Sequence, residues 1–289
     1  MLVGMTNHIV TAYDSSSSFA GEAALWAAAE ASARQIPLQI ISCYQVPIVG
    51  EAGGVWLTSG ILDSIAEGAT TAAMAMQHVI EHRHPSLEVK TDVYPGPARV
   101  ALIDGLNSDD LVVVGASAHD GASAFWLGST ARWVAHHSPC PVVVVHGAAA
   151  RGVPSRIVVG TDGSAFSHKA ITWAADEANL HGAELVVVHS WEFPYLELDS
   201  RIAQARDIIR VDAATVLEQG TNVASERTGM TVSGCLLEGS PVSSLLGAVV
   251  DGDLLVLGSR GRGALLSGLL GSTVNSLIEQ AAVPVVVVR

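Results

Sequence analysis

Cysteines, long apolar runs and targeting signals are scarce or missing in this sequence. Its 3 cysteines, Cys43, Cys140 and Cys235, lie far apart and form no CxxC pair, so neither a zinc site nor a disulfide framework is indicated. Aliphatic runs such as residues 142–145 are far too short to span a bilayer, and the N-terminus has no basic-then-apolar signal segment. We therefore expect a soluble, cytoplasmic protein that does not contact a membrane.

Positive charge is also scarce. The chain has 15 Lys and Arg residues against 28 Asp and Glu residues, a formal net charge of -13, and its basic residues form no concentrated patch. Such a surface repels the phosphates of nucleic acids, so we expect no nucleic-acid partner. A smaller anion has to be held locally, by backbone N–H groups and a few cations, of which Arg260 and Arg262 are the clearest pair.

Apolar residues, by contrast, make up 49% of the 289 residues, enough for two hydrophobic cores. Short apolar runs alternate with segments of helical spacing, which is typical of a mostly parallel sheet covered by helices on both faces. In the first half the pattern predicts strands at residues 9–12, 38–43, 87–94, 111–114 and 142–145, helices at 22–33, 63–84, 97–105 and 129–137, and a long loop at 46–62.

The pattern then repeats. Residues 9–16 read IVTAYDSS and residues 157–164 read IVVGTDGS, while the segments 96–115 and 239–258 are equally long and end in corresponding glycines. A small, polar segment separates the two copies. Internal repetition on this scale indicates a duplicated structural unit. We therefore predict two α/β domains, at residues 1–147 and 154–289.

The most informative stretch is residues 254–273, LLVLGSRGRGALLSGLLGST. It reads as a buried strand, a glycine loop and the start of a helix, and helix N-termini at the carboxyl edge of a parallel sheet attract anions. It is not a Walker A motif, because no Lys occurs between Gly258 and Arg289. The dinucleotide fingerprint fails too, since Leu266 stands where its third Gly belongs. The stretch predicts a phosphate-binding loop of another kind.

The remaining pattern, Gly258-x2-Gly261-x9-Gly271-Ser272, is similar to the ATP-binding signature of the universal stress protein family. With the repeat, the chain resembles the tandem form of that family over nearly its whole length. The resemblance implies two Rossmann-like (adenine nucleotide alpha hydrolase-like) domains, each with a five-stranded, mostly parallel sheet and an ATP pocket at its carboxyl edge. It also implies a homodimer, and it leaves the protein partner unknown.

The resemblance places Asp162 near the adenosine, where a carboxylate can accept a hydrogen bond from a ribose hydroxyl. An Asx-turn or helix N-cap in the TDGS segment is the alternative, and the two roles are compatible. Gly258 and Gly261 are expected to let the chain approach the triphosphate, and Gly271 and Ser272 to present N–H groups to it. The nucleotide-binding residues predicted in the second domain are Gly160, Thr161, Asp162, Ser190, Leu257, Gly258, Ser259, Arg260, Gly261, Arg262, Gly271, Ser272, Thr273 and Val274, with His189 adjoining them by position.

The first domain departs from the signature. Ala118 replaces the second glycine, which costs about 1 kcal/mol if that position needs a positive φ. Ser117 and His119 replace the two arginines, and Asp120 replaces Gly263. We therefore expect weaker or no nucleotide binding there. The corresponding weaker candidates are Asp14, Gly115, Ala118, Gly128, Ser129 and Thr130.

No lysine, carboxylate pair or metal-binding cluster near Gly258 supplies a base for phosphoryl transfer, so neither catalytic nor metal-ligating residues are predicted. Magnesium, if present, is expected to be held mainly by the phosphates, helped by Ser272 or Asp162. The predicted function is an ATP-binding regulator of the stress response with little or no hydrolysis. A slow ATPase and a structural or adaptor oligomer with vestigial pockets are the alternatives.

Two further expectations concern assembly. The valine-rich last strands, residues 142–145 and 285–288, are expected to adjoin as edges, since such apolar edges invite aggregation when unpaired. The loop at residues 46–60 and its shorter counterpart at 192–199 are expected to gate the pockets or to contact partners.

Overall fold

The computed structural model describes residues 7–45, 59–116, 127–147, 153–193, 200–262 and 269–289. The chain divides into two compact units, Met1–Arg151 and Gly152–Arg289. Most of the loop predicted at residues 46–62 and residues 194–199 lie outside the described residues, so the gating hypothesis stays a prediction.

The first unit is an α/β unit with parallel strands. Its strands lie in the order β3-β2-β1-β4-β5, and each neighbouring pair is parallel. The apolar runs of β4 and β5 are almost completely buried, as expected for strands covered on both faces. The elements are β1 (Ile9–Ala12), α1 (Ser18–Arg34), β2 (Leu38–Tyr44), α2 (Ser59–Arg83), β3 (Val89–Pro95), α3 (Ala98–Ala101), β4 (Leu111–Gly115), α4 (Ser129–His137) and β5 (Val142–Val145).

The second unit repeats this topology, with strand order β8-β7-β6-β9-β10 and parallel pairing throughout. The chain runs outward from β6 through β7 and β8, then returns to add β9 on the other side. The crevice beside β6 is therefore a topological switch point, where open α/β sheets bind ligands. The elements are β6 (Arg156–Gly160), α5 (Ala165–His181), β7 (Glu184–Trp191), α6 (Ser200–Thr228), β8 (Ser233–Glu238), α7 (Pro241–Ala248), β9 (Asp253–Gly258), α8 (Ser272–Gln280) and β10 (Val285–Val288).

The predicted strands and most helices of the first unit are confirmed, but three helix boundaries differ. Helix α1 starts at Ser18 rather than residue 22, and α2 starts at Ser59, inside the predicted loop. Because residues 46–62 are rich in Gly and Pro, the whole segment was interpreted as a loop, although its last residues belong to α2. Helix α3 ends at Ala101 rather than residue 105, because the chain turns there and Gly105 adopts φ +84°.

Helices α1 and α5 approach the sheet closely because the residues facing it are small. Most of their alanines, including Ala27 and Ala174, are completely buried. A Cβ on Gly115 would lie 2.6 Å from the backbone carbon of Phe19 in α1, and a Cβ on Gly258 would lie 2.6 Å from that of Phe166 in α5. The glycine that ends β4 and β9 is therefore required by helix packing in both units.

No helix among the described residues is both long and apolar enough to cross a membrane.

Candidate functional site

A cavity of about 660 Å³ opens at the carboxyl ends of β6, β7 and β9 in the second unit. Of the residues predicted to bind nucleotide in this unit, all but Ser259 line it. The lining residues are Gly160, Thr161, Asp162, Ser167, Val188, His189, Ser190, Pro241, Leu245, Leu257, Gly258, Arg260, Gly261, Arg262, Leu269, Leu270, Gly271, Ser272, Thr273 and Val274.

The N-terminus of α8 supplies the main-chain donors of this cavity. The first intrahelical bond runs from Asn275 N–H to Gly271 O at 3.0 Å, so Ser272, Thr273 and Val274 carry N–H groups that precede the helical ladder. The N-cap, Gly271, has no side chain with which to cap them. Because all three residues line the cavity, it has a cluster of donors reinforced by the helix dipole, an arrangement that favours anions.

Ser259 and the Gly271 amide have a structural role instead. The Gly271 N–H donates to Ser259 O at 3.0 Å, so the prediction that Gly271 presents its N–H group to a ligand is wrong. Ser259 is only 2% exposed, and its own N–H donates to Val288 O at 2.7 Å. These bonds tie the start of the glycine loop to β10 and to the start of α8.

Asp162 connects the turn after β6 with the glycine loop after β9. Its Oδ1 accepts the Ser164 N–H at 3.0 Å, which confirms the Asx-turn, and its Oδ2 accepts the Arg262 N–H at 2.7 Å. The N-cap of α5 is Ser164, whose Oγ accepts the Ser167 N–H at 3.2 Å. Burial alone would raise the pKa of the Asp162 carboxyl, but hydrogen bonds from Ser164, Arg262 and Ser167 hold that pKa below its usual value.

In the structure, glycine is required at positions 258 and 261 by contacts with other parts of the protein. Gly261 does not adopt a positive φ, but a Cβ there would lie 2.6 Å from Asp162 Oδ2. Gly258 is needed for packing against α5, as described above. The two glycines therefore permit contacts within the protein, and their approach to phosphate stays a prediction. Gly163, which the signature does not include, has φ +74° and lies directly against the Arg262 guanidinium.

Two arginines provide the positive charge of the cavity wall. The Arg260 guanidinium lies over the Phe166 ring, 5.2 Å from its centroid, and the Lys169 ammonium lies 5.9 Å from the same centroid. Arg262 lies on the other side of the loop, against Gly163. Among the lining residues these arginines face a single carboxylate, that of Asp162, so the cavity is locally positive in an acidic protein.

His189 contributes a neutral imidazole. Its Nδ1 lies 2.7 Å from Thr161 O, and since a carbonyl only accepts, Nδ1 must carry the hydrogen. Burial lowers the pKa of His189 and the nearby Arg262 lowers it further, although the bond to Thr161 and the charge of Asp162 act in the opposite direction. In the neutral ring Nε2 is then a hydrogen-bond acceptor.

Comparison with known proteins identifies the fold. The profile of the universal stress protein family matches this chain twice, over residues 5–146 and 154–289. The chain belongs to the universal stress protein family. Relatives include a universal stress protein of Mycolicibacterium smegmatis, 30% identical over 95% of this chain and 94% of the relative. Another, from Mycobacterium tuberculosis, is 28% identical over 92% of each chain.

Solved structures agree on the fold. The crystal structure of a universal stress protein from Archaeoglobus fulgidus matches with a TM-score of 0.69 and 19% identity, covering 98% of both chains. A putative universal stress protein from Pseudomonas aeruginosa matches with a TM-score of 0.63 and 17% identity, covering 98% of this chain and 93% of the other. At such low identity the likeness concerns the fold alone.

The family signature did not reveal the apolar wall of the cavity. Pro241 and Leu245 of α7 line it together with Leu269 and Leu270, which precede α8. A Cβ on Gly160 would lie only 3.1 Å from Leu245 Cδ1, which shows how closely this wall approaches β6. The chain order offered one indication of this wall: α7 directly follows β8, and the carboxyl end of β8 lies at the same edge of the parallel sheet as the glycine loop.

The first universal stress protein unit retains only part of this arrangement among its described residues. Asp14 Oδ1 accepts the Ser16 N–H at 2.9 Å and the Ser16 hydroxyl at 2.7 Å, so the Asx-turn recurs. Gly128 is the N-cap of α4 without a side-chain cap, and Ser129 and Thr130 follow it in the first turn, as Ser272 and Thr273 do in α8. Gly115 packs against Phe19. Ala118 and its neighbours 117, 119 and 120 lie outside the described residues.

Proposed function

We propose that this universal stress protein binds ATP in the cavity of its second unit and acts as a nucleotide-dependent regulator of the stress response. The observation that carries the proposal is the meeting of three groups in one cavity of about 660 Å³: the first amides of α8, the two arginines and an apolar wall. That volume lies within the usual range for small-molecule sites. Its position at the switch point is where α/β folds bind nucleotides.

Each part of the cavity suits one part of the nucleotide. The triphosphate is placed at the amides of Ser272, Thr273 and Val274, between Arg260 and Arg262, where charge-assisted hydrogen bonds offset the net charge of -13. The base is placed against Leu245 and Leu257. With the triphosphate and the base in these positions, the ribose would lie near the turn after β6.

Magnesium would have few ligands from the protein. Each oxygen of Asp162 already accepts one N–H, so further oxygen ligands from the protein would have to be hydroxyls of the lining residues, that of Ser272 among them. These hard oxygen donors fit Mg²⁺, but an ion at this place would depend mainly on phosphate oxygens. When bound, it would neutralise phosphate charge.

Little or no hydrolysis is expected. Asp162 is the only carboxylate among the described residues that line the cavity. A carboxylate with a lowered pKa that accepts two N–H groups is a weak general base. The described residues that line the cavity include no lysine that could stabilise a transferring phosphoryl group. Nucleotide binding without turnover can still change the stability or conformation of the unit by linkage.

Isothermal titration calorimetry with ATP tests the proposal, with a denatured sample analysed by mass spectrometry for co-purified nucleotide. We expect binding of one ATP per chain, a raised Tm and no phosphate release above background. Steady phosphate release that disappears in S272A would instead indicate a slow ATPase. Absence of binding at millimolar ATP, with no gain in Tm, would leave a structural or adaptor protein.

The cytoplasmic location and the homodimer remain part of this proposal. They are supported by the family membership rather than by a contact in the chain. Analytical ultracentrifugation with and without ATP would measure the assembly and its dependence on nucleotide.

A further inference from the structure

The glycine loop of the second unit is joined to the turn after β6 through one side chain. Asp162 Oδ2 accepts the Arg262 N–H at 2.7 Å, although the two residues are 100 positions apart in the chain. Oδ1 accepts the Ser164 N–H at 3.0 Å, which fixes the orientation of the carboxylate within its own turn. The Asp162 carboxylate, fixed in the turn after β6, therefore restrains the position of the glycine loop.

The neighbouring residues fit around this bond. A Cβ on Gly261 would lie 2.6 Å from Asp162 Oδ2 and would push the carboxylate out of place. The Arg262 guanidinium lies directly against Gly163, whose φ of +74° and missing Cβ allow the contact. Three adjacent contacts thus close the loop onto the turn, and two of them require glycine.

The charge of Asp162 also argues against direct contact with phosphate. A carboxylate repels a triphosphate unless its charge is compensated. Here two backbone N–H groups and the nearby Arg262 compensate it, and these bonds keep the pKa of Asp162 low. Its protein contacts account for the position of the carboxylate without any nucleotide.

We infer that Asp162 is a positioning residue that orders the loop of residues 258–262 before nucleotide binds, and thereby raises the affinity for the phosphates beyond any contact that it makes with the nucleoside. The inference rests on the proposed ATP site for its ligand, but not for the loop itself. By sequence, the first unit lacks both glycines of this contact, having Ser15 in place of Gly163 and Ala118 in place of Gly261.

The first experiment measures the loop without nucleotide. In the full chain, hydrogen exchange of the Arg262 amide is followed by NMR for wild type, D162N and G261A. An Asn oxygen can replace only one of the two acceptors, so we expect exchange about tenfold faster in D162N, and a similar change in G261A although Asp162 is retained. The double variant should be no faster than either single variant, because both break the same contact.

Two controls separate this contact from general loosening. G271A adds a methyl group whose nearest neighbour is 3.8 Å away, so Arg262 exchange should stay at the wild-type rate. D14N changes the corresponding Asx-turn of the first unit and should leave Arg262 unaffected. Unchanged amide protection of β6 and β9 in all variants shows that the sheet is intact. Wild-type Arg262 exchange in both D162N and G261A would overturn the inference.

The second experiment compares ATP with adenosine. We expect D162N to weaken ATP binding about tenfold more than adenosine binding, since only the phosphates need the ordered loop. Equal weakening of both ligands would show that Asp162 acts on the nucleoside alone and would overturn the inference. If neither ligand binds the wild type, the proposed function fails, and the exchange measurement still decides whether Asp162 orders the loop.

Discussion

The two universal stress protein units share two glycines of the signature, Gly115/Gly258 and Gly128/Gly271, and differ at the remaining one. Gly115 and Gly258 end corresponding strands, and each makes room for the backbone of a helix, at Phe19 and Phe166. Gly261 has no such role in packing: it makes room for the carboxylate of Asp162, and the first unit has Ala118 at that position. The comparison separates a glycine that the fold requires from one that the site requires.

The same division holds for the turn after the first strand of each unit. The Asx-turn is common to both, formed by Asp14 with Ser16 and by Asp162 with Ser164. Gly163, which accommodates Arg262, is a serine in the first unit. The Asx-turn is thus retained twice, whereas the two glycines that make room for Arg262 and for the Asp162 carboxylate, Gly163 and Gly261, occur in the second unit alone.

The largest effect on stability is expected from replacing the glycines that end β4 and β9, Gly115 and Gly258. G115A and G258A should each destabilise their own unit by about 3 kcal/mol or more, because the new methyl group overlaps helix backbone that cannot rotate away. Urea unfolding followed by hydrogen-exchange mass spectrometry assigns the loss to a unit. If G115A were tolerated while G258A was not, the glycine of the first unit would not be a packing requirement.

The next effect concerns the cations. R260S/R262H gives the second unit the residues of the first, and we expect ATP affinity to fall about hundredfold, since two charge-assisted contacts are lost. Calorimetry at fixed ionic strength measures it. R210S, on an exposed arginine of α6, changes the net charge without touching the cavity and should leave affinity within twofold. An equal loss in R210S would show that the overall charge, not the cavity, controls binding.

A buried hydroxyl distinguishes the first strands of the units. Thr11 is completely buried, and its Oγ1 has no hydrogen-bond partner among the described residues, whereas the second unit has Val159 at this position. V159T should destabilise the second unit by about 2 kcal/mol, and T11V should stabilise the first by about 1 kcal/mol, because a buried unpaired hydroxyl is costly. Urea unfolding of both variants checks this, and a destabilising T11V would contradict it.

The smallest effect is a pH dependence that belongs to the second unit. The folded-state pKa of His189 is lowered, chiefly by burial, so the unfolded chain takes up a proton first as the pH falls below about 6.5. Stability of the second unit should therefore be unaffected above that pH and should decrease between pH 6.5 and 5. In H189S, which introduces the residue of the first unit, Ser42, this decrease should be smaller.

NMR titration of the His189 ring provides the independent check. Its midpoint should lie below that of a free histidine, with Nδ1 carrying the proton of the neutral ring. A midpoint above the ordinary value would contradict the burial argument, and a neutral ring protonated at Nε2 would contradict the assigned tautomer.

Much of the fold could be predicted from the sequence because the signals were local and occurred twice. Apolar runs such as Val142–Val145 and Val285–Val288 mark buried parallel strands. The corresponding YDSS and TDGS segments and the repeated GST segment align the two copies. Helix boundaries were less certain. The start of α2 at Ser59 was hidden because glycine and proline in the preceding residues favour a loop.

The reason for each site residue was harder to predict than its position. Gly261 was expected to make room for phosphate, but its neighbour is Asp162, which is distant in sequence. Gly271 was expected to donate its N–H to a ligand, but Ser259 O accepts it. Such contacts depend on how the strands pair, and a motif does not specify them. For the same reason the apolar wall from Pro241 and Leu245 was missed.

The bond between Asp162 and Arg262 also has a consequence for biosynthesis. Its two ends are separated by 100 positions, so the ribosome must deliver almost the whole second unit before the contact can form. Strand β6 likewise cannot pair with β9 until β9 has been synthesised. Bringing together segments so far apart in the chain is slow compared with local helix formation. A chain truncated before residue 262 lacks the N–H that Asp162 accepts, so its glycine loop cannot be ordered in this way. The site can therefore bind its ligand only after the second unit has folded.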